Sequence, residues 1–340
     1  MYDLLDNWIT PWFDQSIGLY LFSLCFCIIT GLYLLIKGGD WLSTHSSNIA
    51  FYLGVPPVVV GLTIVSIATS TPELFTSIAA LRSESPGLIL GNIIGSNIAN
   101  VGLILGIALL IGKIPTKDAV SFSQRICLTV ITLGFCLVLF LSKNHEIGFI
   151  SGGLFLCFIF VYLVVLSLHS MRQKSSSDEL EKTDKFQVLS LGIGICVLML
   201  MISTLALWIG ADTLVYGAKS LAELVNVPEE LIGFSLLAIG TSLPELAASI
   251  SLVRKSQTSM LLGNVVGSNL FNIALIGGLA GILGPVRVSS PNPWIDYISL
   301  LLITFILAYW LKGKILAKNH GLGLLLLYVA ASLCTWVFNS

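Results

Sequence analysis

Thr69-Ser70-Thr71-Pro72-Glu73, followed by Gly95-Ser96-Asn97-Ile98-Ala99-Asn100, returns as Thr241-Ser242-Leu243-Pro244-Glu245, followed by Gly267-Ser268-Asn269-Leu270-Phe271-Asn272. The matched pairs Gly61/Gly233, Glu73/Glu245 and Asn100/Asn272 are all 172 positions apart. Between 61–109 and 233–281, 21 of 49 aligned positions are identical. Each glutamate lies in an apolar, membrane-length stretch. An acidic side chain there costs roughly 2.5–3.5 kcal/mol on insertion scales. A chain that bears this twice, each time among hydroxyls and amides, reads as one that binds a cation there.

The surrounding composition agrees. Of 340 residues, 56% are hydrophobic and 10% charged, and the mean hydropathy is +0.95. Soluble domains carry about 25% charged residues, so the chain reads as an integral membrane protein. Its formal charge of −1 gives no reason to expect nucleic acid or acidic partners. Asp3, Asp6 and Asp14 open the chain without a basic residue, the wrong start for a cleaved signal peptide. Cys25, Cys27, Cys127, Cys136, Cys157, Cys196 and Cys334 fall in apolar runs and read as small buried hydrophobes. His45, His145, His169 and His320 read as solvated residues in or beside loops. No span carries Ser/His, Cys/His or His-rich metal spacing, so an enzyme is not expected, and no cofactor is implied. A passive channel's selectivity ring needs multiple subunits or a filter, whereas a two-repeat monomer with a mid-membrane site suits alternating access.

Apolar runs near the ~20 residues that cross a bilayer occur at about 16–37, 55–81, 86–112, 125–142, 147–169, 187–211, 228–253, 258–284, 295–311 and 321–338. The fold class predicted is therefore an all-α polytopic membrane protein with ten transmembrane helices. Residues 1–168 form the first five-helix repeat, 169–187 a polar cytoplasmic linker and 188–340 the second repeat. Five spans per half turn the second copy upside down, giving inverted-topology repeats with a site near mid-bilayer. With both termini outside, inner loops hold 13 Lys and Arg and outer loops hold 4. That bias sets the orientation and suits a bacterial inner membrane. A chain containing both halves is expected to work as a monomer in the lipid bilayer.

Proline inside a helix lacks a donor and clashes with the carbonyl four residues back. Pro72 and Pro244 should therefore loosen the helix and free carbonyls near Ser66, Ala68 and Thr69, and near Ala238, Gly240 and Thr241. With two hydroxyls and one carboxylate per half, these are hard oxygen ligands, of which calcium takes six to eight at about 2.3–2.6 Å. Gly91 and Gly95 share a helix face and admit a close neighbour, as do Gly263 and Gly267. Ser96 and Asn100 present oxygens on one stripe, as do Ser268 and Asn272. Asp40 and Asp212, matched by position, read as caps or turns. Arg82 and Arg254 read as anchors of helix ends at the interface.

These residues resemble the two alpha-repeats of the sodium/calcium exchanger family, of bacterial and archaeal type, within the cation/calcium antiporter superfamily. The resemblance implies a secondary antiporter that exchanges calcium for sodium by alternating access. The alternative is a proton-coupled calcium, or other divalent cation, antiporter of the same fold. By resemblance, Glu73 and Glu245 are the carboxylates shared by the calcium and sodium sites. Thr69 and Thr241 lend carbonyls to calcium. Ser70, Ser242, Ser96 and Ser268, with the carbonyls of Ser66 and Ala238, flank as sodium ligands, and Asn100 and Asn272 complete the centre. Three positions depart from the family pattern: Ala68 replaces a usual glycine, Ser66 stands where a small apolar residue is common, and Asn272 stands where some members carry Asp. Only two carboxylates then face the site, enough to neutralise one calcium. The lack of a large cytosolic domain argues against calcium-sensing regulation.

Overall fold

A computed structural model describes residues 5, 9, 16–82, 86–117, 119–142, 144–172, 192–224, 240–288 and 292–339. The linker residues 173–187, the start of the span expected at 228–253, and Ala238 lie outside the described residues.

The described elements are chiefly helices. Helix α1 (Ile17–Leu53) starts where Ser16 accepts the Leu19 amide at 3.1 Å and stops at Gly54, whose φ of 63° suits glycine. Helix α2 (Pro57–Thr69) contains a π-helical stretch, Gly61–Val65, and meets α3 (Thr71–Arg82) at a bend of 40°. The bend falls at Ser70, two residues before Pro72, as a missing donor requires. Helix α4 runs through Pro86–Ala99, a π-helical Asn100–Leu105 and Gly106–Ile111. Then come α5 (Phe122–Leu141), α6 (Phe149–Arg172) and α7 (Ile193–Leu224). Helix α8 (Leu243–Arg254) precedes α9, which runs through Thr258–Phe271, a π-helical Asn272–Ile276 and Gly277–Leu283. Helices α10 (Pro293–Trp310) and α11 (Lys318–Asn339) finish the chain. Among the described residues eight helices are long and apolar enough to cross a membrane, and the bent α2–α3 pair makes a ninth. The chain is a multi-pass membrane protein.

Helices α4 and α9 form the centre. In their most apolar windows 78% and 83% of residues are buried, against 11% in α11. The outer helices expose Phe22, Ile150, Phe160 and Leu326, which suits a hydrocarbon solvent. Cys25, Cys157 and Cys334 are exposed with them rather than buried; lipid solvates an apolar thiol as well as a core does. Close approach is seen at the second-copy glycines. A Cβ on Gly263 would strike the Val58 carbonyl, and one on Gly267 would strike Ser66 Oγ and lie 2.7 Å from the Leu62 carbonyl. Backbone therefore touches backbone where α9 crosses α2.

Contacts between the halves come in exchanged pairs. Strand β1 (Ile114–Pro115), after α4, pairs antiparallel with β4 (Ile315–Leu316). Strand β2 (Glu146–Ile147) pairs the same way with β3 (Val286–Arg287), after α9. A Cβ on Gly321 would lie 2.7 Å from the Gly106 carbonyl, and one on Gly152 would lie 2.7 Å from the Gly278 carbonyl.

Two expectations fail in α1. Asp40 is neither a cap nor a turn, and His45 is not in a loop, because the helix continues far past residue 37. Lys255 Nζ donates to the Asp40 carbonyl at 2.6 Å and to Ser43 Oγ and Thr44 Oγ1 at 2.7 Å, and Ser251 Oγ donates to the Asp40 carboxylate at 2.7 Å. This polar cluster lets the helix run on against α8. His45, in the same stretch, is 5% exposed.

Candidate functional site

The two Pro-Glu segments fold alike. Ser70 has φ −84° and ψ 5°, and Ser242, its match 172 positions later, has φ −91° and ψ 4°. Each ends a break and opens a helix with the glutamate in its first turn. The partner helices match too, since both π-helical stretches of α4 and α9 begin at the motif asparagine, Asn100 and Asn272. A π-turn adds a residue to the helical circuit and is frequent at functional sites.

These segments meet. The carboxyls of Glu73 and Glu245 lie against one another, each about 1% exposed. Ser70 Oγ donates to Glu245 Oε1 at 3.0 Å, a charge-assisted bond from one half to the other. Thr69 Oγ1 donates to Asn264 Oδ1 at 3.4 Å, and Thr241 Oγ1 to Asn92 Oδ1 at 3.3 Å, the same bond in each direction. Asn100 donates to Asn269 Oδ1 at 3.0 Å. Ser66 Oγ donates to the Gly61 carbonyl at 2.6 Å and the Asn264 carbonyl at 3.3 Å. The Ser66 carbonyl is not freed by Pro72: it accepts the Ser70 amide at 2.9 Å.

Among the described residues the ion pairs are Lys219–Glu223, Lys255–Asp40 and Arg287–Glu146, so no basic side chain neutralises either glutamate. Removing such charges from water costs several kcal/mol each, and a cation is what would offset it. Around them is a field of buried polar atoms without a hydrogen-bond partner: both Glu73 oxygens, Glu245 Oε2, the hydroxyls of Ser96, Ser242 and Ser268, and both amide atoms of Asn272. Buried polar groups are ordinarily satisfied, so this concentration suits atoms whose partner is an ion. Ser66, Ser70, Ser96, Asn100, Ser242, Ser268 and Asn272 are each at most 4% exposed; Thr241 is half-buried. Ala238 cannot be placed, lying outside the described residues.

Two further serines join this set. Ser77 and Ser249 each sit one turn beyond a glutamate, 172 positions apart, at 3% and 0% exposure, with their hydroxyls unpartnered. Both belong to the identical positions of the repeat, which is the signal that would have found them. Asn92, Asn264 and Asn269 likewise carry the cross-half bonds described above.

The halves are alike in sequence and unequal in bonding. Ser70 reaches Glu245, but Ser242 makes no bond to Glu73, and both ends of that missing bond are orphaned. Asn100 reaches Asn269, but Asn272 and the Asn97 oxygen are both left open.

Comparison with known proteins agrees with this geometry. The family model described as sodium/calcium exchanger protein matches residues 23–168 and 195–337. A sodium/calcium exchanger, MaX1, of Methanosarcina acetivorans is 35% identical over 338 residues, covering 89% of this chain and 95% of that protein. The inner membrane protein YrbG of Escherichia coli is 31% identical over 302 residues, covering 88% and 92%. A solved structure of the sodium-calcium exchanger NCX_Mj, soaked with sodium and strontium, superposes with a TM-score of 0.76 at 27% identity, covering 92% of this chain and 98% of that one.

Proposed function

The chain belongs to the sodium/calcium exchanger family, whose members are transporters and not enzymes, and we propose that it exchanges calcium for sodium across the membrane by alternating access. The observation that carries this is the pair Glu73 and Glu245, brought together from two copies of one motif, buried, and without a basic partner among the described residues. Two carboxylates match the charge of one calcium. Orphaned hydroxyls and amides supply the further hard oxygens that calcium and sodium take. Calcium is held between Glu73 and Glu245 with the carbonyls of Thr69 and Thr241. Sodium uses the same carboxylates with Ser70, Ser242, Ser96 and Ser268 and the carbonyls of Ser66 and Ala238, while Asn100 and Asn272 close the centre.

The architecture proposed is ten helices in two inverted five-helix repeats. The exchanged strand and glycine pairings support it, as does the separate match of the family model to each half. The Lys and Arg count supports both termini outside, and a complete two-half site in one chain supports a working monomer.

The test is sodium-gradient-driven calcium-45 flux in proteoliposomes, with a protonophore arm. Uptake that follows sodium and ignores the protonophore is expected. Flux that ignores sodium and collapses with the protonophore would move the assignment to proton coupling, for which Glu73 and Glu245 are themselves the carriers.

A further inference from the structure

We propose that a groove at one membrane face of this protein binds the headgroup of an anionic phospholipid. The groove has a volume of about 690 Å³ and lies away from the glutamates. Its wall is formed by Val58 at the start of α2, Lys117 in the loop after α4, Phe122 and Arg125 at the start of α5, Leu166 near the end of α6, and Lys312 after α10. Two helices begin there and two end there, so it sits at a membrane–water boundary. The β1–β4 pairing holds its two loops together. Thr116 strengthens that junction, donating to the Lys314 carbonyl at 2.8 Å while accepting the Gly313 amide at 3.2 Å.

Three basic side chains, Lys117, Arg125 and Lys312, line the groove. None of Lys117, Arg125 and Lys312 takes part in the ion pairs found among the described residues; Asp118 lies outside them. Lys312 rests over the Tyr309 ring at 5.6 Å and Arg125 over the Phe122 ring at 5.7 Å. Arg125 Nε is buried with no hydrogen-bond partner. The 20-residue α5 also starts at the groove, capped by Ser121 and Gln124, with the positive end of its dipole toward it.

The other wall separates a lipid from a free anion. Phe122 is 67% exposed, and Leu166 and Val58 continue an apolar surface beside the cations. A phosphodiester with hydrocarbon attached satisfies both walls, whereas inorganic phosphate satisfies one. Basic pockets between transmembrane helices hold such headgroups. The inference uses the multi-pass placement and not the direction of exchange, so its failure and that of the exchange assignment are separable.

The experiment measures lipid retention on the purified full chain by native mass spectrometry, after exchange into detergent carrying phosphatidylglycerol or phosphatidylcholine. The wild type is expected to retain phosphatidylglycerol preferentially. At about 1 kcal/mol, or roughly fivefold, per cation, Lys117→Gln/Arg125→Gln/Lys312→Gln together should lower that retention about a hundredfold. Lys37→Gln, which removes an exposed charge outside the groove, should change it less than twofold. If the triple variant does not fold, Arg125→Gln alone with the wild-type headgroup comparison carries the test. Equal retention of the two lipids by the wild type, or of phosphatidylglycerol by variant and wild type, overturns the proposal. Displacement of the lipid by millimolar inorganic phosphate would overturn the lipid assignment in favour of a free anion.

Discussion

Ser70 and Ser242 occupy the same place in the two motifs, yet replacing each by alanine should have different consequences. Ser70 donates to the Glu245 carboxylate at 3.0 Å, both groups being buried, while the Ser242 hydroxyl has no partner. A hydrogen bond to a charged group contributes about 1.5–3 kcal/mol. Unfolding entropy near 2.1 cal/mol/K per residue gives about 0.7 kcal/mol per degree for a chain of this length. Ser70→Ala should therefore lower the melting temperature by about 2–4 °C. Ser242→Ala removes an already unsatisfied hydroxyl and should leave the melting temperature within about a degree, or raise it slightly. The assay is thermal unfolding of the purified variants in detergent, with calcium chelated and sodium replaced by a large organic cation, so that ligand binding does not enter. Equal shifts for the two variants would refute the unequal bonding on which the argument rests.

Glu73→Gln and Glu245→Gln should each lower apparent calcium affinity by two to almost four decades, because removing one partner of a buried charge pair costs about 3–5 kcal/mol; a loss under tenfold in calcium-45 uptake would contradict a shared site. In α6, Gly152→Ala should cost about 1–3 kcal/mol, since its Cβ meets the Gly278 carbonyl at 2.7 Å, whereas the adjacent Gly153→Ala, with open space, should be neutral or stabilising in the same thermal assay. Deleting Ser175 to Ser177 from the polar linker should leave flux unchanged, and total loss with normal expression would show that the linker does more than connect. Three sodium ions per calcium move one net charge, worth about 2.3 kcal/mol per 100 mV, so calcium flux at a fixed sodium gradient should follow a clamped membrane potential; voltage-independent flux would point to two monovalent ions per calcium.

The glutamates were legible in the sequence because hydrocarbon makes an acid conspicuous, and the repeat fixed which residues accompany them. Pro72 announced the bend at Ser70 for the same kind of reason, since a missing donor weakens the helix just before it, but not which carbonyls stay bonded: that of Ser66 keeps the Ser70 amide. The length of α1 was not legible. Its apolar run ends at Lys37-Gly38-Gly39-Asp40, which reads as a helix end, but Ser46 and Ser47 return their hydroxyls to the carbonyls of Leu42 and Ser43 at 2.6 and 2.7 Å. Lys255 comes from 215 positions away to complete Asp40. Local polarity predicts exposure only when no distant partner answers it. Ser77 and Ser249 were not legible for the converse reason: a serine inside an apolar helix is unremarkable until burial and an empty hydroxyl are seen together.

What no alignment of the halves can reveal is which copy of each bond is made. The letters at 70 and 242 are the same, as are those at 100 and 272, so the sequence presents two equal halves. In the folded chain the first-half donors Ser70 and Asn100 reach across to Glu245 and Asn269, while the matching groups Ser242, Glu73, Asn272 and the Asn97 oxygen are left without partners. If exchange proceeds by the alternating access proposed above, a second arrangement in which the made and unmade bonds change places is the simplest partner state for this one. That arrangement uses the same donors and acceptors, so it differs from this one chiefly in which half is engaged. Meanwhile the reciprocal bonds Thr69–Asn264 and Thr241–Asn92 exist in both directions at once and need not change. On the alternating-access reading, this divides the site into a fixed frame and an exchangeable set. The exchangeable set holds both glutamates, so whichever ions neutralise them decide how nearly equal the two arrangements are in energy.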